Sequence, residues 1–159
     1  MHEHQNPMTG FKLLEQAFSS GFRMKKVRGT EDLHLEVDMA LGAERYTYAR
    51  LKGLKVQQLV VLNGNQSLNG LPCFCLFYGT LEELRGKGLT TVFINQVLEQ
   101  FKNDLRPKYG QEYYIESLIE IDNEASLAVA GKLFGEPDHD GVDDDTGVKT
   151  RIWQYKVTR

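Results

Sequence analysis

The chain of 159 residues has two cysteines, one tryptophan and no apolar run of the roughly 20 residues that cross a bilayer. Its net formal charge is −3, so no strong field favours nucleic acid, and we predict neither a nucleic-acid nor a membrane partner. The first ten residues lack a basic segment followed by an apolar one, which predicts no secretory signal and a cytoplasmic location. Cys73 and Cys75 lie two positions apart in an apolar run, a spacing that does not suit a zinc site. We interpret them as core residues and predict no bound metal.

The length and composition are those of one globular domain. Apolar residues make up 41% of the chain and charged residues 26%. A chain of this length buries roughly 68–70% of its unfolded surface, which provides a core without disulfides. We predict a disordered start at residues 1–8 and a single domain at residues 9–159.

Hydrophobic periodicity predicts a helix and then four antiparallel strands. Phe11, Leu14 and Phe18 form the apolar face of the early helix, which Thr9 caps. Apolar and polar residues alternate over residues 33–41, as in a half-buried strand. Turns rich in glycine and asparagine then separate three further strands, and residues 71–77 are apolar on both faces, which predicts a central strand.

The second half of the chain alternates helices and strands. After Gly88, apolar residues recur every four positions up to Leu105, and Pro107 follows this predicted helix. We predict a strand at residues 113–121, a helix at residues 123–134, a solvated acidic loop at residues 138–147 and a last strand at residues 148–157. The predicted fold class is α/β: one mixed, mostly antiparallel sheet flanked by helices.

The turn "LRGKGLTT" at residues 84–91 leads from a strand into a helix and is a candidate phosphate site. It fails the Walker A pattern, because the glycine spacing is wrong, and the dinucleotide pattern, because Thr91 replaces the third glycine. It fits R-x-x-G-x-G/A up to Thr90. The free N–H groups of such a turn, the helix dipole and the basic side chains of Arg85 and Lys87 suit a pyrophosphate. An ordinary glycine-containing turn with solvated basic residues is the alternative.

Three segments together resemble the GNAT superfamily of acyl-CoA-dependent N-acyltransferases. They are "CLFYGTLEELRGKGLTTVFINQVL", "YYIESLIEIDNEASLAVAGKLFGEP" and the closing segment with the only tryptophan. The resemblance implies a fold whose central strands splay apart, and acetyl-CoA as the co-substrate, with its pantetheine arm in the gap. The residues it implies in binding acetyl-CoA are Gly79, Thr80, Leu81, Arg85, Gly86, Lys87, Gly88, Leu89, Thr90, Thr91 and Asn123. For Asn123 the alternative is a helix cap alone.

The resemblance is less complete for the catalytic groups. The tyrosine that the family commonly uses to protonate the leaving thiolate would fall at position 130, which is alanine here. Ser126, in an N-x-x-S pattern, is our candidate acid; its alternative role is that of a small packing residue, and Tyr113 or Tyr114 could substitute. Glu116 and Glu120 share a strand face and are candidate bases for the acceptor amine, unless that face is merely polar surface.

One departure from the family leaves the acceptor open. The family places two helices between its first and second strands, where this chain has only a turn after residue 41. We therefore predict an N-acetyltransferase acting on an amine-bearing small molecule or peptide, with a catalytically silent CoA-binding or partner-binding module on the same fold as the alternative. The acidic loop would attract a cationic acceptor. An exposed edge at the last strand would permit a homodimer.

Overall fold

The computed structural model describes residues 7–159. Residues 1–6, most of the predicted disordered start, lie outside this part, and residues 7 and 8 already belong to the first helix. The helices are α1 (Pro7–Ser19), α2 (Leu89–Asp104) and α3 (Glu124–Phe134). The strands are β1 (Lys25–Lys26), β2 (Leu33–Ala40), β3 (Ala43–Lys52), β4 (Lys55–Leu68), β5 (Leu71–Thr80), β6 (Glu112–Glu120), β7 (His139–Val142) and β8 (Lys149–Thr158). None of the helices in the described residues is long and apolar enough to cross a membrane.

The strands form one mixed sheet of eight strands in the order β1-β2-β3-β4-β5-β6-β8-β7. Strands β5 and β6 pair in parallel, and the other neighbouring pairs are antiparallel. The parallel pair is possible because the chain crosses over through α2 between the two strands. The predicted fold class, with β5 as a central strand, is confirmed.

Two tight turns of the same kind connect β2 to β3 and β4 to β5. The first loop is Leu41 and Gly42, and the second is Asn69 and Gly70. Their φ angles are 55° and 77° in the first loop and 49° and 76° in the second. Positive φ at both positions defines the type I′ turn, whose twist matches that of the strands it joins. Leu41 therefore lies in a turn, and β2 ends one residue earlier than the alternation predicts.

The helices cover opposite faces of the sheet. Because successive strand residues point to opposite sides, Val60 and Leu59 mark the two faces of β4. Val60 belongs to the main core together with Phe93 and Phe101 of α2, and α3 packs on the same side. Leu59 belongs to a smaller core with Phe11 of α1. The early helix thus covers part of the face that α2 and α3 leave open.

One predicted feature of the sheet is wrong. The acidic segment at residues 138–147 is not entirely a loop, because His139–Val142 forms β7 and pairs with β8. Strand β8 consequently lies between β6 and β7, but β7 pairs only with residues 149–152 of β8, so the edge on which a homodimer was predicted is shortened and the homodimer stays a prediction. The sequence pattern does not reveal this strand, because its residues His139–Val142 are mostly exposed and do not alternate between apolar and polar.

Candidate active site

The parallel strands β5 and β6 separate part of the way along their length. They pair at Cys73 with Tyr114, at Phe74 with Ile115 and at Cys75 with Glu116. Beyond that point β5 continues to Thr80 and β6 to Glu120, and no further pairs form between these two described strands. A cavity of about 730 Å³ lies at the opening. The predicted splaying of the central strands is confirmed.

The cavity reaches both faces of the sheet. Leu76 and Tyr78 of β5 point to the face that carries α2 and α3, whereas Cys75 and Phe77 point to the other face, and all four line the cavity. A ligand that enters from the helix side can therefore meet one that enters from the open side. Of the predicted site residues, the cavity brings together Glu116, Glu120, Asn123 and Ser126.

Glu116 lies where the two strands begin to diverge. One carboxylate oxygen accepts hydrogen bonds from Asn65 Nδ2 at 3.4 Å and from the Cys75 thiol at 3.7 Å. The other accepts from Gln154 Nε2 at 2.9 Å. These three donors are neutral, so they fix the orientation of the carboxylate without pairing it with a cation. Burial, together with the nearby Glu116 charge, raises the pKa of the Cys75 thiol to about 12, so Cys75 acts here as a neutral donor.

Asn123 and Ser126 begin α3 on the helix side of the cavity. The side-chain oxygen of Asn123 accepts from the backbone N–H of Ser126 at 3.2 Å, which caps the helix as predicted. The carbonyl of Ser126 in turn accepts from the hydroxyl of Tyr78 at 3.3 Å. Burial raises the pKa of Tyr78, so its phenol keeps its proton at neutral pH.

Tyr78 is the site residue that sequence reasoning missed. It occurs in an apolar strand, where a tyrosine is read as packing, and its neighbour in space comes from a helix 48 residues later. By contrast, the family's tyrosine position is closed to a large side chain. Ala130 is 1% exposed and packs against Ile119 and Trp153, and the indole N–H of Trp153 donates to the Gly135 carbonyl at 2.9 Å.

The glycine turn lies beyond the cavity, at the far end of β5. Gly86 and Gly88 have φ angles of 76° and 71°, a left-handed conformation that glycine adopts without strain. Gly88 occupies the N-cap of α2 and has no side chain to cap it, so the first-turn N–H groups of Leu89, Thr90 and Thr91 remain available. A Cβ built on either glycine would have no neighbour within 4 Å, so there is open space in front of the turn.

Other predicted contacts at this end already have partners inside the protein. Leu81 N–H donates to the Gln57 carbonyl at 2.9 Å, and Arg85 N–H donates to the Glu82 carbonyl at 3.1 Å. The Arg85 side chain is directed towards the end of β5, where its Nε donates to the Thr80 carbonyl at 2.9 Å. Thr90, which departs from the family's Gly/Ala, ties α2 to β5 through a 2.7 Å hydrogen bond to the Thr80 hydroxyl. Gly79, Thr80 and Leu81 connect the cavity to the turn along the chain, although they do not line the cavity itself.

The sheet face opposite α2 remains open where the family has two helices. Strand β2 passes directly into β3 through Leu41 and Gly42, so the predicted departure is confirmed. These turn residues line one side of the cavity mouth, and β7, through Gly141 and Val142, lines another. The acceptor side of the cavity is thus bounded by strands and turns.

No protein-family model and no curated protein matches the sequence. Among solved structures, the fold resembles an acetyltransferase of the GNAT family from Streptococcus pneumoniae, with a TM-score of 0.54 and 12% identity over 71% of this chain and 66% of that one. It also resembles a ribosomal-protein alanine acetyltransferase from Vibrio fischeri, with a TM-score of 0.56 and 13% identity over 73% of this chain and 62% of that one. A ribosomal-protein-alanine N-acetyltransferase from Brucella melitensis gives a TM-score of 0.53 and 13% identity over 72% of this chain and 69% of that one.

The chain thus spans about two thirds of the length of these proteins. From its own topology and from these structures together, the chain has the GNAT acetyltransferase fold.

Proposed function

We propose that this chain is an N-acetyltransferase that moves an acetyl group from acetyl-CoA to the primary amine of a small molecule or peptide. The observation that carries the proposal is the cavity through the sheet between β5 and β6, with Glu116 on one side and the capped start of α3 on the other. An acyl donor and an amine can approach each other through such an opening. The similarity to acetyltransferases that act on ribosomal proteins supports a peptide or other amine as the acceptor.

The reaction joins the amine nitrogen to the acetyl carbon and breaks the bond from that carbon to sulfur. The amine must first be neutral, and it loses a second proton as the new bond forms. Glu116 is the proposed base, because its carboxylate lines the cavity and is oriented by neutral donors. Glu120 lines the same cavity and is the second candidate.

The electron pair of the broken bond goes to sulfur, and the resulting thiolate needs a proton. Tyr78 and Ser126 are the candidate donors in the described lining of the cavity. We favour Tyr78, because its phenol stays protonated and the Ser126 carbonyl fixes its hydroxyl. Ser126, the acid predicted from the sequence, remains the alternative.

Acetyl-CoA would lie along β5 and reach the glycine turn with its pyrophosphate. The first-turn N–H groups of α2 suit that anion, because they carry the positive end of the helix dipole. Lys87 is exposed between the two glycines and adds a positive charge. Gly79 and Thr80 lie on the path between turn and cavity, and Asn123 caps α3 beside it.

A catalytically silent CoA-binding or partner-binding module is the second candidate. The observation that favours it is the closed packing of Ala130 against Trp153, which leaves no room for the family's usual acid. This candidate requires binding without turnover. The two proposals therefore separate as soon as binding and turnover are measured on the same protein.

The test is calorimetric titration of acetyl-CoA into the wild type and into Gly88→Asp and Gly88→Asn. Both side chains tolerate positive φ, so the two variants differ mainly in charge. We expect micromolar binding to the wild type, on the order of −8 kcal/mol, and about 100-fold weaker binding to Gly88→Asp, because its carboxylate opposes the pyrophosphate. Gly88→Asn should bind within about fivefold of the wild type.

Turnover is measured on the same preparations as release of free CoA with a broad amine panel. A folded wild type that binds no acetyl-CoA would contradict both proposals. Tight binding with no CoA release above background for any amine would favour the silent module.

A further inference from the structure

The turn at the cavity mouth contains an unexpected residue. In the type I′ turn, both central residues have positive φ, which favours Asn followed by Gly. The chain uses that pair at Asn69 and Gly70, with φ angles of 49° and 76°. In the equivalent turn at Leu41 and Gly42, however, a leucine adopts a φ of 55°. A branched apolar side chain is strained there, and it gains nothing in return from the core, because Leu41 is 89% exposed.

Leu41 belongs to an apolar rim around the cavity. Leu118 of β6 is 45% exposed and Val142 of β7 is 61% exposed, and both line the same cavity as Leu41. These residues come from three elements that are distant along the chain and meet at one opening. Large apolar side chains that converge on a cavity and remain exposed indicate a surface that binds an apolar group.

The hairpin that carries Leu41 is fixed beside the cavity. Asn63 of β4 donates through Nδ2 to the carbonyls of Ala40 at 3.2 Å and Glu44 at 3.4 Å, on the two sides of the turn. Asn63 also lines the cavity, next to Asn65, which donates to Glu116. The apolar rim therefore surrounds a polar floor that ends at the proposed base.

The described lining of the cavity contains no lysine, arginine or histidine, whereas it contains Glu116, Glu120 and Asp143. A positively charged amine is thus favoured over an anion on this side. Charge alone would suit any amine. The rim adds a requirement on what the amine is attached to.

We propose that Leu41, Leu118 and Val142 form a subsite for an apolar group on the acceptor, so that the preferred acceptor is a primary amine carried on an apolar body. That body is an alkyl or arylalkyl chain, or the apolar side chain of the first residue of a peptide. The inference rests on the proposed function for the identity of the reaction, but the subsite itself is a binding property that is measured without turnover.

The test uses n-alkylamines from ethylamine to hexylamine, with binding measured by NMR titration in the presence of saturating CoA, and turnover measured in parallel with acetyl-CoA. In the wild type, affinity should rise about two- to fourfold with each added methylene group, as expected for partial to full burial. In Leu41→Asn the rise should fall below about 1.5-fold per methylene, because the apolar wall on that side is lost. A comparison of the affinities for leucinamide and glycinamide tests the same preference when the apolar group is the side chain of the first residue of a peptide.

The matched control is Leu54→Asn. Leu54 is 47% exposed in the tight turn between β3 and β4, at the opposite end of the sheet, and does not line the cavity. In Leu54→Asn the dependence of affinity on the chain length of the amine should equal that of the wild type. Leu41→Asn also creates an Asn-Gly turn, so its melting temperature should rise while its affinity for hexylamine falls. Reduced affinity in this variant then cannot be ascribed to loss of the fold.

The outcomes separate the subsite from the reaction. Acetyl transfer to amines with no dependence on chain length would overturn the subsite and leave the transferase proposal standing. Chain-length-dependent binding with no turnover would support the subsite and count against the transferase. An unchanged dependence in Leu41→Asn would also overturn the subsite, whatever the activity.

Discussion

The glycine turn at residues 84–91 and the cavity between β5 and β6 are two regions that use different parts of the chain. The turn presents backbone N–H groups, and its shape follows from Gly86 and Gly88 within one short segment. The cavity presents side chains, and Leu41, Glu116 and Val142 reach it from strands and turns far apart in sequence. Backbone groups suit a part of a ligand that many different proteins bind, such as a pyrophosphate. Side chains, by contrast, distinguish one acceptor from another.

This difference predicts which changes abolish chemistry and which change selectivity. Changes in the turn should weaken acetyl-CoA binding and leave the preference among amines intact. Changes in the cavity should affect turnover or preference and leave the affinity for acetyl-CoA intact.

The largest effect is expected for Glu116→Gln. Removing the base should lower kcat by about 100-fold or more, since general base catalysis typically contributes 10²–10⁴. The amide is nearly the same size as the carboxylate, and its one oxygen can still accept from either Asn65 or Gln154, which donate to different oxygens of the carboxylate. The affinity for acetyl-CoA, measured by calorimetry, should therefore stay within about twofold of the wild type.

Glu120→Gln is the control on the same strand face, with an expected change of less than about fivefold in kcat. If Glu116→Gln keeps full activity, the carboxylates are a polar strand face and not the base. If the larger loss occurs in Glu120→Gln, the base is the carboxylate farther from the point where the strands diverge.

A smaller loss is expected for Tyr78→Phe. It should lower kcat by about 10- to 100-fold by removing the proton donor to the thiolate, with little change in the KM for the amine. Burial raises the pKa of Tyr78 above its ordinary value of 10.0, so the wild-type phenol stays protonated up to that pH. The wild-type kcat should consequently show no fall caused by Tyr78 between pH 7 and about 10.

Tyr114→Phe is the matched control, because Tyr114 lies on β6, accepts from Asn69 Nδ2 at 3.2 Å and does not line the cavity. It should keep the wild-type kcat within about twofold. Ser126→Ala is compared in the same assay. A greater loss in Ser126→Ala than in Tyr78→Phe would assign the acid to the serine.

The contrast between the two regions also explains which parts of the molecule the sequence predicts. The turn and the cap at Asn123 are local, because glycine spacing and an N-x-x-S pattern specify the backbone of one segment. The succession of strands along the chain follows from alternation and tight turns, which predict every strand except β1 and β7. The contact of Tyr78 with Ser126 is not local, and nothing near Tyr78 in sequence distinguishes it from a packing residue.

The positions of Arg85 and Leu41 also depend on contacts that are not local in sequence. The pattern around Arg85 predicts a charge at the turn, but the side chain bonds to the Thr80 carbonyl, a contact that depends on the path of the chain after β5. Alternation extends β2 through Leu41, because leucine is a common strand residue and a rare one at positive φ. Only the register of β2 against β3 places Leu41 in the turn.

The smallest effect is expected for Asn69→Leu, which gives the second type I′ turn the Leu-Gly pair of the first. Strain at positive φ, together with loss of the hydrogen bond from Asn69 Nδ2 to the Tyr114 hydroxyl, should lower the free energy of unfolding by about 1 kcal/mol, a fall of roughly 2–4 °C in melting temperature for a chain of this size. Turnover and the dependence on amine chain length should not change, because Asn69 does not line the cavity. Thermal unfolding and the alkylamine series on one preparation measure both quantities.

Asn69→Leu is the reverse of Leu41→Asn, and the pair separates two explanations of the leucine turn. If leucine at this position were well tolerated by the hairpin itself, Asn69→Leu would lower the melting temperature no more than Tyr114→Phe, which removes the same hydrogen bond, and the exposed Leu41 would need no functional explanation. If Asn69→Leu loses stability and Leu41→Asn gains it, the fold carries a cost at Leu41 that folding does not require. A cost of that kind is expected at a position retained for binding, and it would place the selectivity for the acceptor in the hairpin that replaces the two missing helices.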